Sequence, residues 1–108
     1  MKTGIELISE ERKRQIESEG YTEQHDSQHK VIEFIKAATS YGGSAAMFAL
    51  KDEGSTNDAI TNGIPFLKQT FVWGPDAFKP TNCMRDLIKA GALIAAAIDR
   101  LQLNDKNK

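Results

Sequence analysis

The chain has one cysteine, Cys83, in 108 residues. That excludes an intrachain disulfide, and no zinc site can be assembled from thiolates. No run of about 18 apolar residues occurs, so no segment reads as a membrane-spanning helix. The opening MKTGIELISEERKRQ lacks the apolar stretch of a secretory signal, and the chain is expected in the cytosol. Neither sign of charge is in excess: 14 basic and 15 acidic residues leave a formal net charge of −1. A general DNA-binding protein carries a strong basic surplus, so that class is disfavoured, while a local basic pocket is compatible with the totals. Catalytic signatures are missing too. There is no GxSxG, no Walker loop, no GxGxxG before a strand and no HExxH.

What remains is a globular composition, 40% hydrophobic and 27% charged, of a length that holds one domain. Residues 1–108 read as a single helical domain, with 1–3 and 103–108 as flexible ends. The most informative stretch is 82–102, NCMRDLIKAGALIAAAIDRLQ. On a 3.6-residue wheel Met84, Leu87, Ile88, Gly91, Ile94, Ala95 and Ile98 share one broad face. Ala90, Leu93, Ala97 and Leu101 form a second apolar stripe beside it. So wide an apolar arc implies burial on two sides, and in a short chain one side is expected to meet another subunit. A homo-oligomer joined through the second stripe follows, the alternative for Leu93 being cover by the protein's own 51–81 segment. Thr81 or Asn82 is expected to cap this helix.

Upstream, residues 4–19 read as a first helix with a narrow stripe of Ile5, Ile8 and Ile16. Its charges face outward, including a Glu10–Arg14 pair at i,i+4. Glu6, Glu10, Glu11, Glu17 and Glu19 spread around it as a solvated face. A second helix spans about 28–41, capped by Asp26 or Ser27, with Val31, Ile32, Phe34, Ile35, Ala38 and Tyr41 as its apolar face. Gly42-Gly43 is expected to turn the chain before a short helix at 44–50. Residues 51–81 are turn-rich and aperiodic, the kind of long segment that forms binding loops. A helical turn near 57–61 and an extended piece at 66–73 are expected inside it.

Few residues suggest chemistry. Arg85 and Lys89 stand one helical turn apart, with Asp86 beside them, after a Lys79-Pro80 loop. Two cations near a helix N-terminus suit a phosphate, although such a pair is also what a solvated helix face looks like. Arg12 and Gln15, three apart on the first helix, are expected to contribute from the facing side. Asp86 is expected to orient Arg12 or Arg85. Trp73, Phe71 and Phe78 either anchor the loop to the core or stack on a base, and anchoring is the favoured reading. His25 and His29 are four apart with Asp26 between them. A capping or surface role is favoured over a metal, and His25-Asp26 can face a ligand.

Taken together, EERKRQ at 10–15, Glu19-Gly20-Tyr21, His25-Asp26, the Trp73 to Lys79-Pro80 loop and RDLIKAGALI at 85–94 resemble a family of small phage and prophage proteins. The last helix also resembles, more distantly, that of the MazG-like all-α NTP pyrophosphohydrolases, which hold Mg²⁺ through an ExxE and a later ExxD. Here Lys13 and Arg14 stand three residues after Glu10 and Glu11, and Ala97 stands where the related pattern is acidic. The resemblance therefore implies an all-α bundle with a long central C-terminal helix and a long irregular loop before it. The function it implies is an anti-defence sponge of the Thoeris or CBASS type. Such a protein sequesters a phosphate-bearing nucleotide signal without catalysis, cofactor or metal. The ligand residues expected are Arg12, Gln15, His25, Asp26, Trp73, Lys79, Arg85, Asp86 and Lys89. The alternatives are a Mg-dependent pyrophosphohydrolase and an inhibitor that binds a host protein. No membrane and no general nucleic-acid partner is expected.

Overall fold

The computed structural model describes residues 1–18, 29–54 and 62–106, with side chains to residue 103. Among the described residues the chain is all-α, with no strand. The helices are α1 (Gly4–Ser18), α2 (Val31–Asp52), α3 (Ile64–Gln69) and α4 (Cys83–Lys106), with a 3-10 turn at Pro75–Ala77. None of them is long and apolar enough to cross a membrane.

Local chemistry starts each helix. Thr3 Oγ1 accepts the Glu6 N–H at 3.2 Å while the Glu6 carboxylate accepts the Thr3 N–H, a reciprocal capping box that opens α1. Glu33 reaches back in the same way, accepting the Lys30 N–H at 2.7 Å at the start of α2. Asn82 is the cap of α4, its Oδ1 accepting the Arg85 N–H at 2.8 Å. The expected caps Asp26 and Ser27, and the helical turn near 57–61, lie outside the described residues.

The core lies between α2 and α4. Phe34, Ala37, Ala38 and Tyr41 from α2 meet Ala90, Leu93, Ala96 and Ala97 from α4, and Phe71 and Phe78 close the cluster from the connecting loop. Alanines along α4 let its axis approach α2, since interaxial distance follows the size of the contact residues. Phe34 is wholly buried, which by area removed from water contributes about 1.5–3 kcal/mol.

Several expectations are corrected. Gly42-Gly43 does not turn the chain, and α2 runs through it unbroken. Neither glycine takes a positive φ. A Cβ on Gly43 would sit 3.3 Å from Leu67 Cδ1, so the glycine admits α3 rather than breaking α2. The expected extended piece at 66–73 is partly helical. Pro65 lies in the first turn of α3, where its missing N–H costs nothing. The α4 helix continues to Lys106, past the expected boundary at 102.

The second stripe of α4 is not a free face. Leu93 is 2% exposed and Ala90 and Ala97 are buried within this chain, packed on α2. The exposed apolar side chains are those of the other face, Met84, Leu87, Ile94 and Ile98, joined by Leu101. On α1 the polar and apolar roles are likewise exchanged. Ile5 and Ile16 are exposed, while Glu11 and Gln15 are buried. Helix α1 crosses α4 at Gly91, where a Cβ would come within 2.6 Å of Ile8 Cδ1. That crossing turns the Glu11–Gln15 side of α1 inward.

Candidate functional site

The buried polar face of α1 is explained by what it meets. Arg14 holds Glu11 with two bonds, Nε to Oε1 at 2.8 Å and Nη2 to Oε2 at 2.7 Å. Arg85 reaches the same carboxylate from α4 through Nη2. Gln15 Nε2 adds a donor at 3.3 Å. Burial by itself would raise the Glu11 carboxyl, but the hydrogen bonds and charges of Arg14 and Arg85 outweigh it and hold the group below the ordinary carboxylate range. The expected Glu10–Arg14 pair is replaced accordingly: Arg14 takes Glu11, and Glu10 pairs with Lys2 at 2.6 Å.

Beside this cluster lies a cavity of about 530 Å³, within the size range of small-molecule sites. Glu11, Arg14 and Gln15 line it from α1, Tyr41 from α2, and Arg85, Lys89 and Leu93 from α4. Phe71, Trp73, Asp76, Ala77 and Lys79 line it from the loop.

The loop that forms this wall is fastened at several points. Trp73 Nε1 donates to Glu33 Oε1 at 3.2 Å, and the Lys79 N–H donates to the Tyr41 hydroxyl at 3.0 Å. The Thr81 N–H donates to Asp86 Oδ1 at 2.9 Å, and the Ser44 hydroxyl to Asp86 Oδ2 at 2.7 Å. Edge-on ring contacts join Trp73 to Phe34 and to Phe71. Glu33 is held below its ordinary pKa by the Lys30 N–H first, then by His29 and Trp73.

Lys89 is placed differently from an ordinary surface lysine. Its ammonium donates to the Lys79 carbonyl at 2.7 Å and the Thr81 hydroxyl at 3.2 Å, and lies 5.3 Å from the Tyr41 ring centre. No carboxylate forms an ion pair with it among the described residues. Partial burial pulls its pKa below the ordinary lysine value, only partly offset by the charge of Asp86. Lys79, exposed on the rim, has no ion-pair partner among the described residues either.

No family model matches the chain, and no curated protein or solved structure matches it. Of the residues singled out in the sequence, Gln15, Trp73, Lys79, Arg85 and Lys89 line this cavity. Arg12 is not in it; its Nε lies 3.7 Å from Asp99. Asp86 is not in it either, and it orients neither Arg12 nor Arg85. It is wholly buried, holding Ser44 and the loop backbone instead. His25 and Asp26 lie outside the described residues.

Glu11, Arg14, Tyr41, Phe71 and Asp76 belong to the wall and were not among the expected ligand residues. Glu11 had a legible signal. Arg14 and Gln15 follow it at i+3 and i+4, the spacing at which helix neighbours meet. The loop aromatics serve as anchors, with Phe71 and Phe78 in the core and Trp73 partly buried against it. Phe71 and Trp73 still present surface to the cavity.

Proposed function

We propose that the chain binds a phosphate-bearing nucleotide in this cavity and holds it unchanged. The observation that carries the reading is Lys89, a partly buried ammonium bonded to neutral oxygens and facing the cavity, with no carboxylate paired to it among the described residues. Taking a cation from water without a counter-ion is unfavourable, and an anionic ligand removes that cost. Arg85 lines the same cavity from α4 and Lys79 from the loop, and Phe71 and Trp73 offer ring surface for a base.

A further point supports binding over hydrolysis. The one deeply buried carboxylate of the cavity, Glu11, is already engaged by two arginines. The resemblance to small phage and prophage proteins supports the finer reading, an anti-defence sponge that sequesters a nucleotide immune signal of the Thoeris or CBASS type in the host cytosol. The homo-oligomer remains a proposal as well. Its support moves from Ala90, Leu93 and Ala97, which are core, to the exposed face with Met84, Leu87, Ile94 and Ile98.

The test is a thermal-shift panel of cyclic dinucleotides and ADP-ribose-type nucleotides, followed by heat release and chromatography of the ligand. A raised melting temperature with intact ligand recovered is the expected result. Recovery of a cleaved nucleotide would make the chain an enzyme. The absence of any shift across the panel would reject nucleotide binding and favour an inhibitor of a host protein.

A further inference from the structure

The cations of the cavity fall into two places rather than one. Arg85 sits toward α1, with one guanidinium N–H given to Glu11 and no other bond among the described residues. A guanidinium has five donors, so most of its fork is left for a ligand. One turn along α4, Lys89 points the other way, toward the loop, where the Lys79 carbonyl takes one of its N–H bonds and draws the Lys79 residue beside it. Residues at i and i+4 on a helix are separated by about 5–6 Å at Cβ. Two phosphoryl groups in one chain of atoms lie within that reach, whereas a single phosphate does not need both places.

Charge balance agrees. Among the described residues, Lys79, Arg85 and Lys89 line the cavity with the carboxylate of Asp76, and Arg14 lines it paired to Glu11. The basic excess suits a ligand with more than one negative charge.

Resting on the nucleotide reading, we infer that the ligand is a nucleotide carrying two linked phosphoryl groups, one at Arg85 and one at the Lys79–Lys89 pair. A diphosphate ester of a nucleoside and a pyrophosphate bridge between two nucleosides share this chemistry.

Titration calorimetry tests it at fixed pH and low salt with AMP, ADP, a dinucleoside pyrophosphate, orthophosphate and pyrophosphate as probes. Wild-type protein should bind ADP or the dinucleoside pyrophosphate at least tenfold more tightly than AMP, and pyrophosphate more tightly than orthophosphate. Whichever of ADP and the dinucleoside compound binds better identifies the source of the diphosphate. In Lys79→Ala the advantage of the diphosphate over AMP should fall to within about threefold. Arg85→Gln should reduce the same advantage. Lys79 is exposed and its side chain makes no hydrogen bond or ion pair among the described residues, so its variant keeps the test valid should Arg85→Gln unfold.

Equal affinity for AMP and the diphosphates in wild type, or equal weakening of both by Lys79→Ala, would overturn the two-phosphate inference and leave nucleotide binding standing. No binding of any probe to the wild type would overturn the two-phosphate inference, and joined to no thermal shift with any cyclic dinucleotide it would overturn nucleotide binding as well.

Discussion

Glu11 on α1 and Arg85 on α4 share a charged contact at the junction of the two helices, with Arg14 on the far side of the same carboxylate. It joins the only buried carboxylate of α1 to the helix that carries the ligand cations. Arg14 and Arg85 are each more than a third exposed or close to it, so solvent screens part of the interaction. Glu11→Gln is predicted to lower stability by about 1.5–3 kcal/mol, the range for hydrogen bonds to charged groups. Urea unfolding followed by circular dichroism checks it, and an unchanged midpoint would show that the pair is ornamental.

The same pair sets an acid limit. The folded Glu11 carboxyl lies below its ordinary value. Its contribution to stability is therefore complete above the unfolded carboxylate pKa, about 4.3, and is lost as pH falls through the lower folded value. Glu33, held down by Lys30, His29 and Trp73, acts in the same direction. Melting temperatures of wild type and Glu11→Gln measured from pH 6 downward should converge. Parallel curves would mean that Glu11 does not titrate differently on folding.

Lys89→Met is predicted to weaken binding of a phosphate-bearing ligand about tenfold or more, the loss of one charge-assisted contact of roughly 1.5–3 kcal/mol. Affinity in the wild type should also decline with rising pH sooner than an ordinary lysine would dictate, because burial lowers the pKa of Lys89 and an anion prefers the protonated form. Calorimetry across pH 7 to 10 gives both results. A flat profile with an unaffected variant would remove Lys89 from the site.

Asp86 is predicted to act on stability first. It is wholly buried and accepts bonds from the Ser44 hydroxyl and the Thr81 N–H. Asp86→Ala strands the Thr81 N–H, at about 1–3 kcal/mol for an unsatisfied group, leaves the Ser44 hydroxyl only the Tyr41 carbonyl at 3.0 Å, and frees the loop end that positions Lys79. Ser44→Ala removes only one bond and should cost less. If Asp86→Ala melts with the wild type, the loop is fastened elsewhere.

Trp73 is the one tryptophan of the chain and lines the cavity while its indole N–H is bonded to Glu33. Its emission should change on ligand binding, and the change should saturate with the calorimetric affinity. A ligand that binds with no change in emission lies away from the loop wall.

Periodicity and end signals along the chain determined the helical class, the apolar stripes of α4 and a cap at Thr81 or Asn82, because those depend on neighbours three or four residues away. They also drew attention to Arg85, Lys89, Lys79, Trp73 and Gln15, since charges and aromatics near a helix start and in a turn-rich loop are local features. What decided the rest was contact between distant segments. Gly42-Gly43 reads as a break until Leu67 is seen against it, and then it is a packing point within a continuous helix. The wheel of α4 has two apolar stripes of similar quality, and only the position of α2 selected Leu93 for the core and left Ile94 and Ile98 in water. Glu11 looks like one more solvated carboxylate of α1 until Arg85, 74 positions away, supplies the charge that makes its burial tolerable. Asp86 looks like a ligand residue until Ser44 and Thr81 claim both its oxygens. A carboxylate is the same group in either role; whether it binds, caps or neutralises is set by which donors the fold brings within hydrogen-bond distance.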